Sequence, residues 1–112
     1  MFDFEKLTVY IKAKSINAEI RTFIQSSKLD PTTKDQLRRA SFSIVLNIAE
    51  GTGRLSKADK KKFYIIARSS IFECMAIFDV LKDEKAMHEM QFQYFYNKAE
   101  ELSKKVTSYR LS

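Results

Sequence analysis

The 112 residues are the length of one domain and enough to enclose a real hydrophobic core, so residues 1–112 are read as a single unit. An apolar fraction of 45% with 30% charged residues excludes intrinsic disorder, and two Gly and one Pro are too few for the turns of an all-β domain. The net charge of +6 favours anionic partners, and no apolar run approaches the ~20 residues of a membrane span. The chain is expected to be all-α.

The opening, MFDFEKLTVY, is charged from Asp3 onward and lacks the apolar segment of a signal peptide, which reads as a cytoplasmic protein. A first helix is predicted over residues 4–26. Phe4, Leu7 and Ile11 lead into an apolar stripe of Ala13, Ile16, Ile20, Phe23 and Ile24 at helical spacing. Asp30 before Pro31 is a helix start, because Asp caps free amides and Pro loses no hydrogen bond at the first helical position. The second helix is predicted over residues 31–50. Gly51 is read as its left-handed C-terminal cap, and Gly51, Gly53 and Ser56 together as a tight turn in which Ser56 caps the third helix. That helix, over residues 57–82, carries Phe63, Ala67, Ser70, Cys74, Ile77 and Leu81 on one face. The fourth, over residues 88–109, repeats the alternation at Phe92, Phe95, Ala99, Leu102, Val106 and Tyr109. No Gly or Pro marks the linker KDEKAMHE between them. Such heptad-like faces with short connections predict an antiparallel up-down-up-down four-helix bundle.

Some apolar residues do not fit one stripe per helix. Phe42, Ile44, Val45, Leu46, Ile48 and Ala49 wrap around much of the second helix, and Ile65, Ile66, Ile71, Phe72, Met75 and Phe78 add to the apolar surface of the third. A helix apolar on two faces is buried on two faces, which in a small domain predicts a homo-oligomer.

Reacting groups are scarce. Cys74 is the only cysteine and sits among apolar neighbours, and His88 is the only histidine, so no metal or cofactor is expected. "GTGR" matches neither a dinucleotide fingerprint nor a phosphate loop. With no nucleophile–base pair, the chain is not read as an enzyme. Arg39, Ser43, Asn47 and Glu50 share a face of the second helix, with Arg68, Ser69 and Glu73 on the third. They form either a polar network fixing register or subunit contacts, or a cleft lined by Arg39, Asn47 and Glu50. Lys57, Lys60, Lys61 and Lys62 crowd the start of the third helix, where the helix dipole disfavours positive charge. The last three sweep about 200° of the helix, more than the edge of a solvated face. Arg38 and Arg54 extend the set toward a phosphate-binding patch. Only Phe63 and Tyr64 follow it, which gives base stacking little support.

The stretch QLRRASFSIVLNIAEGTGRLS, followed by ARSSIFE, resembles the four-helix bundle family that includes the 23S rRNA intervening-sequence protein. The resemblance rests on Gln36 to Ala40, Ser43-Ile44, Asn47 to Gly51, Gly53-Arg54, Ser56, Ala67-Arg68, Ser70 and Glu73. Val45 stands where many members have proline, which implies a straighter second helix. The resemblance implies an antiparallel bundle and a ring-like homopentamer. It also implies kinship with accessory proteins of diversity-generating retroelements, which bind nucleic acid and a reverse transcriptase. The combined expectation is a non-enzymatic oligomer binding nucleic acid, structured RNA above all, through Arg38, Arg54, Lys57, Lys60, Lys61 and Lys62. The alternative is a protein-interaction scaffold with no nucleic-acid role.

Overall fold

The computed structural model describes residues 2–111, without the side chains of Lys6 and residues 109–111. A 3-10 turn over Asp3–Lys6 precedes four helices: α1 (Thr8–Ser26), α2 (Pro31–Gly53), α3 (Lys57–Asp83) and α4 (Glu89–Leu111). At about 1.5 Å per residue, the 27 residues of α3 span about 40 Å, close to the 44 Å long axis of the molecule. The helices line up along this axis, with α1 the shortest at 19 residues, and short loops force consecutive helices antiparallel. α1 packs on α2 and α4, and α3 packs on α2 and α4. This is the up-down-up-down four-helix bundle. None of these helices is long and apolar enough to cross a membrane among the described residues.

The first helix begins later than its spacing suggests. Leu7 is extended (φ −73°, ψ 129°) and separates the 3-10 turn from α1. Phe4 instead turns back onto Tyr10, edge to face at 4.8 Å, and Ile11 is left exposed. The rest of the stripe, Ala13, Ile16, Ile20, Phe23 and Ile24, is buried, and Val9 joins it. At the other end, Ser26 and Ser27 donate side-chain hydrogen bonds to the last-turn carbonyls of Phe23 and Ile24, and the Ser27 amide also donates to Ile24. Asp30 caps α2 through the Thr33 amide (3.0 Å) and hydroxyl (2.6 Å), which hold its carboxyl below the usual carboxylate range.

Core packing in α3 is rotated from the predicted face. Tyr64, Ala67, Ser70, Ile71, Cys74, Phe78 and Leu81 are buried, whereas Phe63 and Ile77 are only half-buried. The rotation brings Phe78 between Phe23 and Phe95, with ring centroids 5.8 and 4.9 Å away. In α4 Phe95, Ala99, Leu102 and Val106 are buried and Phe92 is half-buried, while the Tyr109 side chain lies outside the described residues. Burial pushes the Cys74 thiol up to about 12, and the neighbouring Glu73 charge adds to the shift. An enclosed, protonated thiol of this kind is neither a nucleophile nor a metal ligand.

The linker without Gly or Pro stops α3 by another route. Lys85 adopts a left-handed conformation (φ 60°), the Ala86 amide donates to the Leu81 carbonyl (2.8 Å) and the Lys85 amide to that of Lys82 (3.0 Å). This pair of bonds is a Schellman ending with lysine where glycine is usual. A left-handed L-residue costs about 1–2 kcal/mol, and glycine returns about half of that as chain entropy. Lys85→Gly is therefore expected to stabilise the protein by about 0.5–1 kcal/mol, seen as a higher urea midpoint with unchanged slope. An unchanged or lowered midpoint would contradict strain at this position.

Candidate functional site

One end of the bundle gathers the C-terminus of α2, the start of α3 and the N-terminal 3-10 turn. Neither glycine behaves as the predicted cap. α2 continues through Gly51 to Gly53, and no glycine has a positive φ. The chain leaves the helix at Arg54, which is extended (φ −80°, ψ 150°) and donates its amide to the Gly51 carbonyl. Gly51 is buried because α3 passes close by. A Cβ there would lie 2.7 Å from Tyr64 Cε1 and 3.2 Å from Phe63 Cβ. Tyr64 crosses this gap, and its hydroxyl lies 3.0 Å from Thr52 Oγ1. Gly53 meets nothing within 4 Å. The turn itself consists of Arg54, the fully exposed Leu55 and Ser56, whose hydroxyl accepts the Asp59 amide (3.1 Å) and caps α3 as expected.

The cations at this end divide into two kinds. Arg54 is held in place: Nη2 donates to Glu50 Oε2 (3.0 Å), and the guanidinium lies 4.5 Å from the Phe63 ring centre. Lys62 also reaches over that ring, with Nζ 5.9 Å from its centre. Lys57, Lys61 and Lys62 are exposed and Lys60 is half-buried. None of these four lysines has an ion-pair partner among the described residues. Elsewhere carboxylates do neutralise cations: Asp35 takes both Arg38 (2.9 Å) and Arg39 (3.1 Å), Glu101 pairs with Lys12, and Glu19 with Lys98 (3.3 Å). Arg38 does not join the lysines. It lies sixteen residues before Arg54 on the same helix, about 24 Å along the axis.

The polar face of α2 divides as well. Asn47 donates to the Ser43 hydroxyl (3.0 Å) and carbonyl (2.8 Å), and Ser70 of α3 donates to the Ser43 hydroxyl (2.9 Å). This chain ties α2 to α3. Arg39 and Glu50 turn away to Asp35 and Arg54. Arg68 lies 4.5 Å over the exposed Phe72 ring, and Ser69 and Glu73 are exposed.

Sequence reasoning misses a groove of about 530 Å³ beside Arg54. Phe2 and Phe4 of the 3-10 turn face Leu46 and Ala49 of α2, with Asp3, Glu50 and Arg54 also lining it. Its aromatics lie some fifty residues from Arg54 in the chain. The signal available was the aromatic pair Phe2 and Phe4 on a segment too short to be a helix of its own. Among the described residues, no three His, Cys, Asp or Glu are placed to hold a metal ion.

Residues 5–108 match the model of a protein family described as 23S rRNA-intervening sequence protein. The chain belongs to that family. The four-helix arrangement of this intervening-sequence protein family member is also found in a crystal structure from Bacteroides thetaiotaomicron. That structure is a protein of unknown function from the S23 ribosomal protein family. The two align with a TM-score of 0.86 and 21% identity, over 94% of this chain and 100% of the other. At that identity the likeness shows the fold. No curated protein matches the chain.

Proposed function

We propose that this family member is a non-enzymatic, oligomeric helical bundle that binds nucleic acid, structured RNA above all, in the cytoplasm. The contacts are the cations at the α2–α3 end: Arg54, Lys57, Lys60, Lys61 and Lys62, with Arg38 as an outlying contact. The observation that carries this reading is the crowding of four lysines, none in an ion pair among the described residues, into the first two turns of α3 next to Arg54. Unneutralised charge gathered at one end attracts a polyanion more strongly than the same charge spread over the surface. The family's description refers to the intervening sequence of 23S rRNA, so RNA is the nucleic acid to test first.

Self-association accounts for the remaining surface. Ile65, Phe72 and Val80 of α3 and Tyr96 of α4 are exposed, as is Phe42 of α2. Large apolar side chains on several helices favour burial against other copies, in a ring of five by the family resemblance. In this reading Arg39, Arg68 and Glu73 serve subunit contacts.

A second reading, a protein-interaction scaffold, is favoured by a groove of about 390 Å³ between α3 and α4, floored by Ile71 and Ala99 and flanked by Phe72, Met75 and Tyr96. A protein partner, a reverse transcriptase among them, would dock there.

Binding to an RNA hairpin, duplex DNA and a single strand at two salt concentrations, with light scattering on the same sample, separates the two. Four phosphate contacts predict a loss of about a hundredfold in RNA affinity between about 50 and 200 mM salt. An oligomer that binds none of the three would sink the nucleic-acid reading and leave the scaffold.

A further inference from the structure

We infer that the groove between the N-terminal 3-10 turn and the end of α2 receives an unpaired nucleobase of the bound RNA; this rests on the nucleic-acid reading above. The groove has the layout of a nucleotide. Its interior is apolar and partly aromatic, made by Phe2, Phe4, Leu46 and Ala49, and Phe2 is 72% exposed. Aromatic faces left in water at a nucleic-acid surface are stacking platforms, since every base has a flat π-face. At about 530 Å³, the groove lies within the range of small-ligand clefts, about 300–1,000 Å³.

Charge sets the orientation. Asp3 and Glu50 line the groove and repel a phosphate from its interior, while their oxygens can accept hydrogen bonds from base amino groups. Arg54 stands beside them, braced by Glu50 and Phe63, and only one of its five N–H donors is taken by the Glu50 contact. The remaining face of that planar fork suits a phosphate. The lysines of α3 continue the cationic track beyond it in the chain. Phe2 and Phe4 stack on each other with ring centroids 6.0 Å apart, so the base lies against the outer face of that pair and the backbone runs over Arg54 toward α3. By contrast, the α3–α4 groove has Glu100 beside Lys104, which pair with each other, and no arginine fork at its edge.

The test compares two RNAs with one stem, the first closed by an unpaired loop carrying 2-aminopurine and the second fully paired. Wild-type protein is expected to bind the loop RNA about tenfold more tightly, with a change in 2-aminopurine fluorescence on binding. Phe2→Ala, and independently Leu46→Gln, should remove that preference and the fluorescence change while leaving duplex affinity and circular dichroism unaltered. Equal affinity for the two RNAs overturns the groove proposal and leaves the nucleic-acid reading intact. So does full loop affinity in both variants. Failure to bind either RNA overturns both. A fall in oligomeric mass on Phe2→Ala in the absence of RNA would assign the groove to a second copy and overturn the proposal.

Discussion

Gly51→Ala is expected to destabilise the protein by about 1–3 kcal/mol, although alanine is the better helix former. In an exposed helix the exchange would gain about 1 kcal/mol. Here the added methyl would meet Tyr64 Cε1 and Cδ1 at 2.7 and 2.9 Å and Phe63 Cβ at 3.2 Å. Neither neighbour can give way cheaply. The ring is buried, with its hydroxyl placed against Thr52, and Phe63 Cβ moves only if α3 moves. The methyl therefore pushes α3 away from α2 along the most extensive seam of the bundle. Gly53→Ala is the internal control. It is also helical, its Cβ meets nothing within 4 Å, and its φ is not positive, so it should stabilise by up to about 1 kcal/mol. Urea denaturation of both variants decides the matter: opposite signs confirm close approach at Gly51, and a gain in both contradicts it.

Neutralising the exposed lysines should reduce RNA binding without weakening the fold. In Lys57→Gln/Lys61→Gln/Lys62→Gln, the slope of log affinity against log salt is expected to become shallower by about 2 to 3, at about 0.7–0.9 per lost phosphate contact. Stability should stay within about 0.5 kcal/mol, because all three side chains are exposed and none is in an ion pair among the described residues. Removing Lys57 from the first turn of α3 also relieves an unfavourable interaction with the helix dipole. The comparison that gives this result meaning is Lys28→Gln/Lys85→Gln/Lys104→Gln. It removes the same net charge from exposed positions away from the start of α3. If both triple variants lose the same slope, net charge alone drives binding and the cluster is not a site.

The helices, their order and most of the buried stripe follow from the sequence because they depend on local spacing. Apolar residues three and four apart share a face wherever the helix is placed, and Asp30-Pro31 and Ser56 act on amides within their own first turn. Phe63 and Ile77 show the limit. Several apolar residues on α3 compete for the interior, and only the positions of Phe23 and Phe95 on other helices select Phe78 and Tyr64's side of the helix. The lysine cluster was legible as a run of like charge. Its lack of neutralising carboxylates was not, because that depends on which acids the other helices bring near.

Sequence alone determined the class of the fold, the four helices and the resemblance that the family match bears out, all of which rest on residue types at short spacing. Tertiary structure decided what the glycines do and where the aromatics lie. Gly51 is a contact point for Tyr64 rather than a turn, and Phe2 and Phe4 stand beside Arg54 despite some fifty intervening residues. Helix periodicity is carried within a few residues of chain, whereas the distance between two helix surfaces is set only when both are packed.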